Sequence, residues 1–124
     1  MRIGELAKRA DVTQRTVRYY ESRGLLPPGT RTGNSHHHYP DEAVARLQKI
    51  DQLKKLGLSL DEIGGVIDLY FADPSGVEPK RKVLEMLRKH LAETDEKVSE
   101  LQRFRADLQV NIARFEYFLG DKPV

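Results

Sequence analysis

The stretch that decides the fold is residues 12–24, which read VTQRTVRYYESRG. Thr13 is a preferred helix N-cap, and the valines before and after it are spaced as a hydrophobic staple. Gly24 stands where a residue with left-handed backbone geometry commonly ends a helix. We therefore expect a helix over about residues 14–23, with its valine and its second tyrosine facing inward and its polar side chains facing outward.

A second amphipathic segment precedes that helix. Residues 3–10 carry apolar side chains on one helical face, and Asp11 follows in a tight connection. Two short helices joined by a tight turn, with arginine, glutamine and tyrosine outward on the second, form a helix-turn-helix pattern. The second helix would enter the major groove of DNA, where arginine and glutamine read base edges. The same pattern also fits an ordinary helical hairpin with a polar outer face.

The next segment changes character and predicts a small β-hairpin. A double proline favours extended chain, Gly33-Asn34 suits a tight turn, and the histidines at 36–38 would form the return strand. A hairpin in this place is called a wing, and its tip would lay Arg31 along the phosphate backbone of DNA. Two of the histidines would share a strand face as half of a metal site. A wing histidine needs no metal to be explained, so we predict none.

Two further helices are predicted after the wing. The first opens at Pro40 and ends at Gly57, and its apolar stripe is Val44, Leu47, Ile50, Leu53 and Leu56. Ser59 and Glu62 form a capping box that starts the next helix. The apolar positions of that helix are Leu60, Ile63, Val66, Ile67 and Tyr70. Residues 73–79, which contain proline and glycine, predict a linker.

The last predicted element is one long helix over residues 80–119. Its apolar positions, with Thr94 and Arg105 added, alternate by three and four residues, which is typical of a coiled coil. These apolar positions, which we call the seam residues, are Leu84, Leu87, Leu91, Val98, Leu101, Leu108, Ile112, Phe115 and Leu119. A helix about 60 Å long is more than the rest of this small chain can cover. We therefore expect a second copy to cover the seam.

Composition and charge exclude several classes of protein. The 124 residues hold 21 Lys+Arg and 19 Asp+Glu. Eleven of the basic and six of the acidic residues lie within residues 1–58, so the first half is basic, which fits a polyanionic partner. No cysteine is present, which excludes disulfides and thiolate metal sites. No catalytic constellation, cofactor motif, signal peptide or membrane span is recognisable, so we expect a cytoplasmic protein that is not an enzyme.

The order of these elements resembles the MerR family of bacterial transcription regulators, over essentially the whole chain. The motifs that carry the resemblance are Ile3-Gly4-Glu5-Leu6-Ala7, Thr16-Val17-Arg18-Tyr19-Tyr20-Glu21, Gly24-Leu25-Leu26-Pro27 and Leu56-Gly57-Leu58-Ser59-Leu60. The resemblance implies a mostly α-helical fold. Residues 1–72 would form a winged helix-turn-helix DNA-binding domain with a β-hairpin wing and a two-helix connector. A linker over 73–79 would lead to an antiparallel coiled-coil dimerisation helix over 80–119 and a short tail over 120–124.

The resemblance also implies a function. A homodimer would bind a pseudo-palindromic operator in double-stranded promoter DNA and distort the spacer DNA, so that RNA polymerase engages both promoter elements. The alternative is an architectural or partner-binding DNA-binding dimer without a promoter switch.

Site residues follow from the same resemblance. Contacts to DNA are carried over to Thr13, Arg15, Arg18 and Tyr19 in the second helix, to Arg31 and Tyr39 in the wing, and to Lys54. Tyr39 would either contact phosphate or pack. Gln14 is added from its exposed place in the first turn. His37 stands where the family has an arginine, so its contact would be weakened or pH-dependent.

The effector is left open by the sequence. Thiolate metal sensing is excluded because the chain has no cysteine, and the short tail leaves no room for a further ligand domain. A small molecule at the dimer interface, control by abundance, and a partner protein all remain as alternatives.

Overall fold

The structure, a computed structural model, describes residues 1–32, 36–120 and 122, without the side chains of Thr32 and His36. The helices and strands, in chain order, are α1 (Ile3–Ala10), α2 (Gln14–Ser22), β1 (Thr30–Thr32), β2 (His36–His38), α3 (Glu42–Lys55), α4 (Leu60–Gly64), α5 (Ile67–Ala72) and α6 (Val77–Gly120). The predicted turn at Gly33-Asn34 and most of the tail lie outside the described residues. The chain divides into two compact units, Met1–Leu87 and Arg88–Val124.

The helix-turn-helix forms as its local signals predict. Asp11 closes α1 in the left-handed region, with φ 56°, and its N–H bonds back to the last turn of that helix. Thr13 caps α2, because its hydroxyl accepts a hydrogen bond from the backbone N–H of Thr16 at 3.0 Å. Gly24, with φ 74°, follows the end of α2. Glycine adopts this geometry without a Cβ clash, so the chain can turn sharply toward the wing.

The wing is a two-stranded antiparallel sheet. Its register pairs Thr30 with His38 and Arg31 with His37. The base of the wing is tied to the start of the chain, since the N–H of Tyr39 donates to the carbonyl of Met1 at 2.7 Å. The amino group of Met1 in turn donates to the carbonyl of Tyr39 at 2.8 Å. These two bonds hold the hairpin against the helical unit.

A single apolar core lies within the first unit. Its most deeply buried side chains come from every helix of that unit and from the segment after α2, and they are Leu6, Val17, Leu25, Leu26, Leu47, Ile50, Ile63, Val66, Ile67 and Pro79. The first turns of α6 close this core through Val83, while Met86 and Leu87 pack against it half-buried. The unit that carries the predicted DNA-binding face therefore includes the start of the long helix.

The predicted fourth helix is in fact two short helices. The capping box at its start is present, with Ser59 accepting from the N–H of Glu62 and the Glu62 carboxylate accepting from the N–H of Ser59. Two consecutive glycines then end α4, and Val66 leaves helical geometry at φ −129°. A Cβ on Gly64 would lie 3.4 Å from the Leu25 side chain, an ordinary contact distance, so the glycines act here by ending the helix. The break lets adjacent apolar residues at 66–67 both reach the core.

The start of the long helix also differs from the prediction. The helix begins at Val77, within the predicted linker, because Asp73 and Ser75 cap it. The Asp73 carboxylate accepts hydrogen bonds from the hydroxyl of Ser75 at 2.7 Å and from the N–H of Glu78 at 3.1 Å. These bonds lower the pKa of Asp73 below its ordinary value. Pro79 is tolerated in the first turn, where its missing N–H has no helical partner to lose.

One side chain of the apolar stripe predicted for α3 faces solvent and not the core. Leu56 is 53% exposed, because it follows the last helical residue and the chain turns away at Gly57, with φ 97°. Arg46, which the apolar pattern did not include, is buried on the same helix. The three-and-four spacing located the helix correctly but did not identify every side chain that faces the core.

The capping box gives a stability prediction. Ser59→Ala removes the acceptor for the N–H of Glu62, which should lower the free energy of unfolding by about 1 kcal/mol. The midpoint of thermal unfolding should fall by roughly 4–8 °C. Circular dichroism would measure this, with Ser99→Ala, an exposed position on α6, as the matched control. A midpoint for Ser59→Ala equal to that of the control would show that the cap does not stabilise the fold.

Candidate nucleic-acid interface

The outward face of α2 is the centre of the candidate interface. Val17 and Tyr20 are buried and fix the rotation of the helix. Besides Ser22, the side chains that α2 and its cap present to solvent are Thr13, Gln14, Arg15, Arg18 and Tyr19. All five were predicted DNA contacts, and the structure brings them onto one exposed helical surface. Thr13 has a second role there, since its hydroxyl also caps the helix.

Tyr39 joins α2 to the wing. Its ring is buried, and its hydroxyl donates a hydrogen bond to the carboxylate of Glu21. Burial, and then the hydrogen bond and charge of Glu21, raise the pKa of Tyr39 from 10.0 to about 12, although the nearby Arg18 acts to lower it. Of the two roles left open by the sequence, packing is the one that this geometry favours, because the hydroxyl points into the protein.

Arg31 and His37 face each other across the two strands of the wing. The Nε of Arg31 donates to the Nε2 of His37 at 3.3 Å. Gly29, at the entry to the wing, lies against the same strand, and a Cβ there would be 2.8 Å from the Cβ of His37 and 3.0 Å from the Tyr39 ring. The tight approach keeps the base of the wing close to its return strand. Arg31 itself stays exposed.

Lys54 lies at the end of α3, beside α2. Its Nζ donates to the hydroxyl of Tyr20 at 3.4 Å and lies 5.9 Å from the centre of that ring. The lysine side chain is exposed, whereas the tyrosine is buried. This contact brings the predicted phosphate-binding lysine next to α2, although the two are 34 positions apart in the chain.

A second tie, from α2 to α4, was missed by the sequence analysis. Arg23 donates to the hydroxyl of Tyr19 at 3.2 Å and to the carboxylate of Asp61 at 2.7 Å. The charges of its two partners, Tyr19 first, raise the pKa of Arg23 above its ordinary value. The Arg23 side chain thus restrains the exposed Tyr19 hydroxyl at the surface. No local pattern predicts a contact between residues 38 positions apart.

Arg46 was also missed, although it ties three segments together. Its Nε donates to the carbonyl of Leu25 at 2.7 Å, and its guanidinium also binds the carboxylate of Asp68 on α5. The same guanidinium lies 5.6 Å from the centre of the Phe71 ring. A buried arginine with each of these partners is well compensated for its burial. The residue stabilises the turn between α2 and the wing and does not face solvent.

Among the residues that the structure describes, no group of three or more His, Cys, Asp or Glu side chains could hold a metal ion. The side chain of His36 lies outside them. None of the described helices is both long enough and apolar enough to cross a membrane.

Comparison with known proteins agrees with this fold. The family model described as "MerR HTH family regulatory protein" matches residues 1–69, and the model "MerR, DNA binding" matches residues 44–110. The chain is 37% identical over 108 residues to the HTH-type transcriptional regulator ZntR homolog of Haemophilus influenzae, which covers 87% of this chain and 78% of that protein.

Two solved structures are similar as well. The transcription regulator PbrR691 from Ralstonia metallidurans CH34, in complex with lead(II), has a TM-score of 0.71 and 33% identity over 88% of this chain and 83% of that one. HiNmlR, a MerR family regulator lacking the sensor domain and bound to promoter DNA, has a TM-score of 0.57. At 20% identity, over 97% of this chain and 90% of that one, the likeness to HiNmlR concerns the fold alone.

The fold and the exposed face of α2 define a winged helix-turn-helix protein of the DNA-binding class. The chain belongs to the MerR family, as the two family models and the identity to the ZntR homolog show. It is therefore a DNA-binding transcription regulator, and its relatives are regulators and not enzymes.

The Tyr39 hydroxyl gives a prediction on pH. Because its pKa is raised in the folded protein, the stability it contributes is present below about pH 10 and is lost as pH rises toward about 12. Subtracting the tyrosinate absorbance of Tyr39→Phe from that of the wild type isolates this one titration. Its midpoint should lie near pH 12, and Glu21→Gln should lower it. A midpoint near 10 in the wild type would contradict the buried hydrogen bond.

Proposed function

We propose that this chain is a homodimeric, sequence-specific regulator that binds a pseudo-palindromic promoter operator through two recognition helices and two wings. The observation that carries the proposal is the exposed surface of α2, where Arg15, Arg18 and Tyr19 face solvent while the opposite face is buried. A helix presented in this way can enter the major groove. Gln14 and the arginines carry the side-chain types that read base edges there.

The remaining predicted contacts would position the protein on the DNA backbone and would contribute less to reading the base sequence. Arg31 in the wing and Lys54 at the end of α3 are exposed cations that can meet the phosphate groups flanking a major groove. Tyr39 acts from the buried side of the wing, because its hydrogen bond to Glu21 holds the wing against α2. His37 holds the side chain of Arg31, so its contribution to DNA binding is indirect.

Dimerisation is supported by the second unit. Within residues 91–120 every residue is exposed, and these include several large apolar side chains of the predicted seam. A helix with an exposed apolar face of this kind is stable in water only when another surface covers it. Two copies would also match the symmetry of a palindromic operator, because one winged helix-turn-helix unit would meet each half-site.

Control of transcription would come from DNA geometry. Two winged helix-turn-helix units joined by one coiled coil would hold their half-sites at a set distance. Binding can therefore bend or untwist the DNA between the half-sites. RNA polymerase would be the partner that reads this change at the promoter. The comparison protein PbrR691 binds lead(II), whereas this chain has no cysteine to supply thiolate, so we propose an effector other than a thiolate-bound metal or none. The proposed location is the cytoplasm.

Arg18 tests the recognition surface. Arg18→Ala should lower affinity for the operator by about tenfold or more, because a paired contact to a base edge is worth roughly 1–3 kcal/mol. Affinity for random DNA should fall much less. Arg103→Ala, which removes the same charge from an exposed site on α6, is the matched control. Titration by fluorescence anisotropy would measure both, and operator affinity within about threefold of the wild type would show that the assignment of Arg18 is wrong.

A nuclease footprint on the DNA upstream of the chain's own gene, at two salt concentrations, separates the two candidate functions. A promoter switch should protect one palindrome between the promoter elements, with enhanced cleavage at its centre where the DNA is distorted. The architectural alternative predicts spreading or cooperative protection without a localised palindrome. Protection that is weak, unlocalised and lost at higher salt would indicate phosphate binding only and would count against the promoter switch on this DNA.

A further inference from the structure

The seam of α6 contains two polar positions that set how a partner helix can fit. The exposed seam residues are Leu84, Leu91, Val98, Leu101, Leu108, Ile112, Phe115 and Leu119, at 45–68% exposure. They repeat by alternating steps of three and four, and Leu87 continues the pattern. Thr94 and Arg105 are the two positions of this repeat that are not apolar. In heptad terms Arg105 occupies position a, and Thr94 occupies position d.

The occupant of this face is a second copy of the same helix. A partner must offer a helix with the same repeat and of comparable length, and the next longest of the described helices, α3, has only 14 residues. In a parallel pair, each position a faces the other position a, so Arg105 would meet Arg105 inside the seam. Two cations confined in one apolar layer repel each other strongly. The like-charge clash therefore favours the antiparallel arrangement.

An antiparallel pair places position a of one helix level with position d of the other. The layers then stay matched along the pair. A step of three residues forward on one helix is level with a step of three residues backward on its partner, so each position a again meets a position d. We propose that two copies of α6, antiparallel as the family resemblance implies, pair in the register that sets Thr94 of one copy against Arg105 of the other. This inference rests on the homodimer of the proposed function and deepens it. The two-fold axis then falls between Ser99 and Glu100.

The apolar layers agree with this register. Counted outward from the axis, the facing pairs are Val98 with Leu101, Thr94 with Arg105, Leu91 with Leu108, Leu87 with Ile112, and Leu84 with Phe115. Every seam residue from Leu84 to Phe115 therefore meets an apolar partner, and both polar residues meet each other. Because of the two-fold symmetry, the polar layer occurs twice in the dimer.

Neighbouring registers lose this match. A shift of one heptad in one direction sets Arg105 against Leu101 and Thr94 against Ile112. A shift in the other direction sets Arg105 against Leu87 and Thr94 against Val98. Each of these arrangements sets the Arg105 guanidinium against aliphatic carbon and takes from it the Thr94 hydroxyl as a hydrogen-bond acceptor across the interface.

The chemistry of the polar layer is complementary. The Thr94 hydroxyl donates to the carbonyl of His90 at 2.7 Å, which leaves its oxygen able to accept a hydrogen bond. The guanidinium of Arg105 has only donors, so it can supply that bond from the second copy. Asp95, next along the chain, would place a carboxylate at the edge of the same layer, within reach of a long arginine side chain. A polar pair inside an apolar seam is a known means of specifying register.

Cysteine cross-linking tests the register directly, since the chain has no cysteine of its own. Leu91→Cys protein is mixed in turn with tagged Leu101→Cys, Leu108→Cys or Phe115→Cys protein and mildly oxidised. The proposed register predicts a covalent mixed dimer with Leu108→Cys only. Cross-linking to Leu101→Cys or Phe115→Cys would establish a register shifted by one heptad. Self-cross-linking of Leu91→Cys would establish a parallel pair, and any of these results would overturn the proposal.

An exchange of the polar residues provides an independent readout. Thr94→Arg sets two arginines against each other and should raise the dimer dissociation constant by about tenfold or more in sedimentation equilibrium. The double variant Thr94→Arg/Arg105→Thr restores one arginine and one threonine to each layer and should return the constant close to that of the wild type. A double variant as weak as the single one would overturn the register. A wild-type protein that stays monomeric would overturn the homodimer itself.

Discussion

The burial of one side of α2 is the constraint on which the rest of the structure depends. Val17 and Tyr20 are held in the apolar core, and this anchoring alone determines that the arginines of the same helix face outward. A rotation of α2 by one residue, about 100°, would turn Val17 and Tyr20 out of the core and would cost the transfer of a large apolar area to water. The core thus fixes the candidate interface, although none of its members touches DNA in the proposed complex.

Around this anchor, polar contacts link α2 to elements distant in the chain. Tyr39 and Glu21 join it to the wing, Arg23 and Asp61 join it to α4, and Lys54 joins it to the end of α3. Each contact pairs a side chain near the proposed DNA surface with a partner that restrains it. Such restraint lowers the entropy lost on binding, because the reading surface is ordered before DNA arrives.

Local signals predicted the ends of elements well wherever capping decides them. Thr13, Ser59 and Gly24 act in the structure as their residue types suggest, because a cap is chemistry between residues close in sequence. The break after α4 and the exposure of Leu56 escaped the same reasoning. In both cases glycines decided the outcome, since Gly64 and Gly65 end α4 and the chain turns at Gly57 directly after Leu56, and hydrophobic periodicity does not report such breaks. The long helix α6 starts earlier than the proline and glycine of residues 73–79 predict, because Asp73 and Ser75 cap it.

Apart from the break between α4 and α5, the sequence by itself determined the order of elements, the outward residues of α2 and the seam of α6, because all three follow from helical period and short-range capping. The tertiary structure decided which of the candidate side chains are restrained and by what. Tyr39 turns its hydroxyl to Glu21, Arg46 is buried against Leu25 and Asp68, and Arg23 supports Tyr19. These contacts join residues far apart in the chain, and only folding brings such groups within hydrogen-bonding distance.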